Sequence, residues 1–271
     1  MKMTVTSEEL ARKIRIHAVE LTHRTHASHI ASILSAADIV AVLYQDLMKI
    51  DPHEPGNPKR DRFLLSKGHA GLAVYAALAE RGFFEKEMLG TYYQDGSSLT
   101  GHISHKGVPG VEFSTGSLGH GVAAAVGIAL AGKLNDAGYR VFVLAGDGEC
   151  EEGCVWESAL FAAHQKLDNL KVVVDCNRYQ ALGTCKEQAG MDALADKWRQ
   201  FGFYVQECDG HDHAALHRAM QASQKDQPVC VIAHTIKGKG VSFMENELLW
   251  HYRDPQGEFY LRAMEELGGK I

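Results

Sequence analysis

The stretch Val141-Phe142-Val143-Leu144-Ala145-Gly146-Asp147-Gly148-Glu149 is an apolar run that ends in a carboxylate set between two glycines. Such a run, closed by a glycine turn, predicts a strand buried on both faces, as in a parallel sheet. Glycines there let bare backbone amides approach a phosphate, while Asp147 can hold a divalent cation. A second apolar run, Val172-Val173-Val174, ends in Asp175-Cys176-Asn177, and Asn177 can give a neutral oxygen to the same cation. One Asp and one Asn are a sparse set for a bare metal, but they suit Mg²⁺, whose remaining octahedral positions are filled by diphosphate oxygens and water. The pair therefore implies a diphosphate ligand. The plainer alternative is a Gly-Asp-Gly turn with Asn177 capping a strand end.

Composition narrows the field. The chain has 271 residues, 45% of them hydrophobic and 23% charged, enough for one large core or two modest ones. A net charge of −6 with no run of like charges gives no electrostatic footprint for nucleic acid. No uninterrupted apolar segment reaches membrane-spanning length, and Met1 to Arg15 is polar where a signal peptide needs an apolar centre, so a cytoplasmic protein with no membrane partner is expected. The six cysteines are scattered. Cys150 and Cys154 lack the second pair that a zinc site would need, and reduced structural thiols are expected.

Helices come first, then strands and helices alternate. Ser7 to His26, capped at Ser7, has Leu10, Ile14, Val19 and Leu21 at helical spacing, and Ser35 to Met48 repeats the pattern with Ala36, Ile39, Val40, Leu43 and Leu47. Arg62 to Ser66 reads as a short buried strand leading through Gly68-His69-Ala70 into an alanine-rich helix. A glycine- and histidine-dotted loop follows, from about Gly90 to Gly116, of a length usually reserved for function. Strands at 140–145, 170–175, 202–207 and 229–234 then alternate with helices at 119–134, 153–166, 192–201 and 212–222. This grammar predicts an α/β fold: a parallel β-sheet with helices on both faces, residues 1–271 forming a single domain with amino-terminal helices and an irregular carboxy-terminal extension. Ligands of such sheets bind beyond the carboxyl ends of the strands. His29, His69, His102, His105 and His251 all fall in loops of that kind, which points to a polar pocket handling hydroxyls and phosphates.

Two segments make a resemblance specific: Asp61-Arg62-Phe63-Leu64-Leu65-Ser66-Lys67-Gly68-His69-Ala70 and Pro109-Gly110-Val111-Glu112-Phe113-Ser114-Thr115-Gly116-Ser117-Leu118-Gly119. With Gly146-Asp147-Gly148-Glu149 and Asn177 they resemble transketolases in order and spacing, from about residue 8 to residue 255. The match corresponds to the amino-terminal, diphosphate-binding half of a full-length transketolase, and so implies the thiamine diphosphate-binding fold. It implies thiamine diphosphate with Mg²⁺, or Ca²⁺ in its place, held by Asp147, Asn177 and the Tyr179 carbonyl. Gly146, Gly148 and Glu149 belong to the same cofactor motif, with the Gly148 amide on the diphosphate. By the resemblance, Gly116, Ser117 and Leu118 line the aminopyrimidine, His69 and His251 lie near the diphosphate and the reacting carbon, and His29 and His102 contact the sugar. Glu152 matches an acidic residue at the family's subunit interface.

The chain departs from the family pattern at Ala27-Ser28-His29-Ile30-Ala31, which lacks the glycines and proline of that turn, and at His120 where Gln is usual. Ala181 replaces a larger aliphatic side chain, and Tyr252 follows His251 in place of glycine. In transketolases the glutamate that activates the cofactor lies in a second, pyrimidine-binding domain, for which residues after 255 leave no room. The resemblance therefore implies a split enzyme: a separate carboxy-terminal subunit supplies that domain, and two copies of each form a heterotetramer acting on sugar phosphates. Ketol transfer from a ketose phosphate to an aldose is the expected reaction. The alternatives are another thiamine enzyme, of the deoxyxylulose-phosphate synthase or dehydrogenase type, and a non-catalytic cofactor sensor or scaffold. Two local motifs stand outside this reading. His211-Asp212-His213 with His217 has metal-like spacing but is expected to be a helix start with exposed imidazoles. Lys237-Gly238-Lys239-Gly240 reads equally as a phosphate cradle and as a flexible loop.

Overall fold

A computed structural model describes residues 5–270. Its centre is a five-stranded parallel sheet of β1 (Arg62–Leu65), β2 (Val141–Gly146), β3 (Leu170–Cys176), β6 (Tyr204–Asp209) and β7 (Val229–His234), in the order β1-β2-β3-β7-β6. Successive side chains of a strand point to opposite faces. Phe142, Leu144 and Val173 accordingly enter one apolar cluster, while Val141, Val143, Val172 and Val174 enter another. Both faces being covered explains why these strands read as continuous apolar runs.

Helices α1 (Ser7–Thr25), α2 (Ile30–Val42), α3 (Gly71–Glu80), α8 (His213–Gln221) and α9 (Glu258–Glu266) contribute to the first cluster. On the other face lie α4 (His120–Leu134), α5 (Gly153–His164) and α7 (Leu194–Gln200), with Trp198 fully buried. α2 continues through a π-turn at Leu43–Leu47, and Ile30–Leu47 is long and apolar enough to cross a membrane by length and composition. That window is 89% buried inside the fold, so it serves as a core helix.

The structure corrects several boundaries. The cap of α1 is Thr6, whose hydroxyl accepts from the Glu9 amide at 3.3 Å, and not Ser7, which is buried. α2 begins at Ile30, ahead of the expected Ser35. The carboxy-terminal extension is not irregular, because α9 buries Ala263 and Met264 against α1. A hairpin of β4 (Tyr179–Gln180) and β5 (Gly183–Thr184) leads into a one-turn helix α6 (Cys185–Ala189) capped by Thr184. All six cysteines are free thiols.

Register places the site. Leu65 pairs with Leu144, Gly146 with Asp175, and Cys176 with His234, so Ser66, Asp147, Asn177 and Thr235 leave adjacent strands at one edge. The long loop is drawn to the same edge. There Thr115 Oγ1 donates to Leu65 O at 2.6 Å, and the Ile103 amide donates to Gly68 O at 3.0 Å.

Candidate active site

One end of the cleft at this edge is charged. Asp175, fully buried, accepts from Lys67 Nζ at 2.6 Å, Ser35 Oγ at 2.7 Å and Thr235 Oγ1. Burial alone would raise its pKa, but the Lys67 ammonium and these donors outweigh that and hold it below the usual carboxylate range. Asp147 is placed differently. Burial, and then the neighbouring Asp175 charge, push its carboxyl up to about 6, although it accepts from the amides of Gly148 (2.8 Å) and Arg178. Asn177 Nδ2 donates to Ser35 Oγ at 3.3 Å, and its Oδ1 accepts from the Tyr179 amide at 3.1 Å. Lys237, 1% exposed, donates from Nζ to Tyr179 O at 3.1 Å and to His251 Nδ1 at 2.9 Å. Burial and then the Lys67 charge lower its pKa to about 8.

This donor set fits a hard cation and a diphosphate. A buried carboxylate whose ionisation is disfavoured, an amide oxygen and a backbone carbonyl are oxygen ligands of the kind Mg²⁺ takes. Two buried lysines beside them compensate further anionic charge. No three His, Cys, Asp or Glu side chains converge as a metal group among the described residues, which removes the zinc readings of Cys150–Cys154 and His211–His217.

The other end is built of imidazoles. His29 follows α1 in a left-handed conformation (φ 72°), and its amide donates to His251 O at 2.9 Å. Ring centroids lie 5.1 Å from His29 to His69, 5.8 Å to His102 and 5.3 Å to His251, and Tyr252 packs edge-on beside His251 at 4.6 Å. Burial, with His102 next, lowers the His29 pKa to about 4, and burial with Lys237 lowers that of His251 to about 3. His69 is pushed well below the ordinary value, chiefly by burial. These three rings are therefore neutral near pH 7, each with one N–H donor and one lone pair. The ring nitrogens of His69 and His102 make no intramolecular hydrogen bond among the described residues, which suits hydrogen bonding to a ligand.

Of the residues singled out in the sequence, His29, His69, His102, Gly116, Leu118, Gly146, Asp147, Gly148, Glu149, Asn177, Tyr179 and His251 line one cleft of about 260 Å³. Ser117 does not join them, being exposed outside the lining. Glu149 is a brace: it accepts from Ser66 Oγ and from the amides of Gly119 (2.7 Å) and Gly146 (2.9 Å), tying three motifs together. Glu152 is exposed next to Gly119. Sequence reasoning misses Lys67, Ser35 and Asp175 as parts of the charged end, and leaves Lys237 open between a phosphate cradle and a loop. Lys67 stands inside the motif Ser66-Lys67-Gly68-His69, and only its burial reveals its part.

The family described as "Transketolase, thiamine diphosphate binding domain" matches residues 6–254. The chain belongs to the transketolase family. It is 39% identical over 268 residues to one subunit of the apulose-4-phosphate transketolase of Phocaeicola vulgatus, covering 98% of this chain and 95% of the relative. To "6-deoxy-6-sulfo-D-fructose transketolase subunit SqwG" of Clostridium sp. it is 41% identical, covering 95% and 94%. Human "Transketolase" is 40% identical over 97% of this chain, but the chain spans only 42% of it. The transketolase structure from Campylobacter jejuni superposes with a TM-score of 0.91 at 30% identity, over all of this chain and 44% of that one. The chain thus corresponds to the amino-terminal, thiamine diphosphate-binding subunit of a split transketolase, with flanked parallel sheet and cleft as that fold requires.

Proposed function

We propose that this subunit binds thiamine diphosphate with Mg²⁺, or Ca²⁺, and joins a separate chain carrying the pyrimidine-binding domain. The heterotetramer so formed moves a two-carbon ketol unit from a ketose phosphate to an aldose. The observation that carries this reading is one cleft holding a cation-seeking carboxylate and two buried lysines at one end and a wall of imidazoles at the other, where the rings of His69 and His102 keep nitrogens free of internal hydrogen bonds among the described residues. In it Asp147, Asn177 and the Tyr179 carbonyl hold the metal, while Lys67 and Lys237 balance the diphosphate charge. Bound thiamine diphosphate supplies the carbanion-stabilising chemistry that no side chain here can supply. His102, whose ring is free of internal partners, donates to and accepts from the sugar's hydroxyls and carbonyl and holds it in place, while His69, equally free, stands near the diphosphate and the reacting carbon. His29 and His251 close the same wall.

The need for a second chain is supported by the helices on the far face. Leu160 and Phe161 on α5 are 64% and 44% exposed, and Ala123, Gly127 and Ala131 face outward on α4. An exposed apolar face of this kind marks an interface, and the heterotetramer assembles across it. Relatives of nearly the same length that are named as transketolase subunits support a partner of this type. The test is a coupled aldose-phosphate assay with light scattering. The purified chain should show no ketol transfer, and a pyrimidine-domain chain from the same source should restore it together with a mass of two copies of each. Activity from this chain alone would overturn the split-enzyme reading.

A further inference from the structure

The sequence leads one to expect a helix start with exposed imidazoles at His211-Asp212-His213; the helix start is there, capped by Asp212, but the first two imidazoles are turned inward. His211 and His213 are largely buried against Asp38 on α2. His211 Nδ1 lies 2.7 Å from Asp38 Oδ2, and the opposite ring nitrogen, Nε2, accepts from the backbone amide of Ile236 at 2.8 Å. Because Nε2 is an acceptor, the proton sits on Nδ1 and is donated to Asp38, so the ring serves as a neutral bridge. Asp38 is itself fixed by Arg15, through Nη1 at 3.0 Å and Nη2, and by His213 Nε2 at 3.1 Å. Arg15 Nε then donates to Lys239 O at 3.0 Å. Two tethers that share one buried carboxylate therefore grip the chain on either side of Lys237. The ammonium they flank reaches Tyr179 O and His251 Nδ1 in the cleft.

We propose that His211 is a positioning residue for the cofactor's diphosphate: held by Asp38, it fixes Ile236 and thereby the place of the Lys237 ammonium. The inference rests on the reading that the charged end of the cleft holds the diphosphate. His211 touches neither cofactor nor sugar and acts only through the loop. His213 offers an internal control, since it bonds the same Asp38 while its Nδ1 is buried without a partner and makes no hydrogen bond to the loop.

The experiment is a double-mutant cycle read as the affinity of the complete complex for thiamine diphosphate with Mg²⁺, by titration calorimetry, with melting temperatures for every variant. His211→Phe keeps ring volume and loses both hydrogen bonds. It should weaken binding by about tenfold, the size of one hydrogen bond to a charged network. Lys237→Met should weaken it more, and the double variant should be no worse than Lys237→Met alone. His211→Gln, whose amide oxygen can take the place of Nε2, should recover most of the affinity. His213→Phe should lower the melting temperature with the affinity unchanged. If His211→Phe fails to fold, His211→Asn takes its place: it keeps a donor for Asp38 but is too short to reach Ile236, and should lose affinity where His211→Gln does not. Losses that multiply in the double variant would overturn the proposal, as would a drop in melting temperature from His211→Phe with no change in affinity. Equal binding by wild type and Lys237→Met would also overturn it while leaving the cofactor reading intact. A wild-type complex that binds no thiamine diphosphate would sink both.

Discussion

The two ends of the cleft are built on different principles. At the charged end every group has a partner within the protein: Asp175 has four donors, Asn177 three partners, Lys237 two acceptors. Its carboxylates and amide leave adjacent strands at fixed register, so their spacing is a property of the sheet. At the imidazole end the side chains come from loops and helix starts, and the rings of His69 and His102 have no internal hydrogen-bond partner among the described residues. Rigid, satisfied polar networks suit permanent binding, whereas open donors and acceptors on loops suit a ligand that comes and goes. Binding of the cofactor and handling of the sugar are thus separable, and substitutions should separate them.

The largest separation comes from Asp147→Ala. It removes the carboxylate that burial and Asp175 hold near a pKa of about 6, and leaves Mg²⁺ and diphosphate without their charged ligand. Cofactor binding by the complete complex should fall by about 100-fold or more, the scale of losing a buried charged partner, with melting temperature of the metal-free protein unchanged or raised. Calorimetry with and without chelator measures it. Equal affinity in both conditions would remove the metal from the site.

At the other end, His102→Ala should leave cofactor affinity within about threefold and lower turnover by on the order of 100-fold, the usual worth of a positioned proton donor or acceptor, whereas His69→Ala, beside the diphosphate and the reacting carbon, should lower turnover at least as far. Kinetics on the reconstituted complex, alongside melts of the same variants, decide between this and a structural part. A fall in affinity matching the fall in turnover would mean that the two ends are not separable.

The same division explains what can be read from the sequence. Asp147 and Asn177 are legible because a strand in a parallel sheet announces its carboxyl end by an apolar run and a turn. The individual parts of the histidines emerge only through resemblance to transketolases, since loops carry no periodicity to place them. His29 lacks the glycines usual in its turn yet holds a left-handed φ of 72°, with its amide bonded to His251 O. Lys237 cannot be assigned because Lys-Gly-Lys-Gly is the same string in a cradle and in a loose loop. Asp38 and His211 are 173 positions apart, and nothing local couples them. α9 escapes notice although Phe259, Ala263, Met264 and Leu267 have helical spacing, because Pro255 and Gly257 draw the whole segment into an irregular reading.

A smaller effect should appear with acid. His29 is folded as a neutral ring with a pKa of about 4, while in the unfolded chain it titrates near the ordinary 6.5. Below that value the unfolded state binds more protons, so the stability held in this ring is fully present above pH 6.5 and is lost as pH falls towards about 4. The slope is at most about 1.4 kcal/mol per pH unit, reduced by its contact with cleft water. Denaturation at pH values of about 7.5, 6 and 5 should show wild type losing more stability than His29→Asn. Parallel losses would move the acid sensitivity elsewhere.

The finest test concerns the two glycines of the motif, which the sequence treats alike and the structure does not. A Cβ on Gly148 would lie 3.1 Å from Gln180 Cβ, so the hairpin would have to give, whereas on Gly146 the nearest atom is 3.9 Å away. Neither has a left-handed φ, so neither substitution is strained by backbone conformation. Gly148→Ala should therefore cost about 1 kcal/mol, visible as a fall of about 2–4 °C in melting temperature. Gly146→Ala should melt as wild type. Since Gly146 lines the cleft, any loss of cofactor affinity in that variant reports the space the ligand itself needs, and a few-fold loss is expected. Unchanged affinity would show that the diphosphate keeps its distance from Gly146.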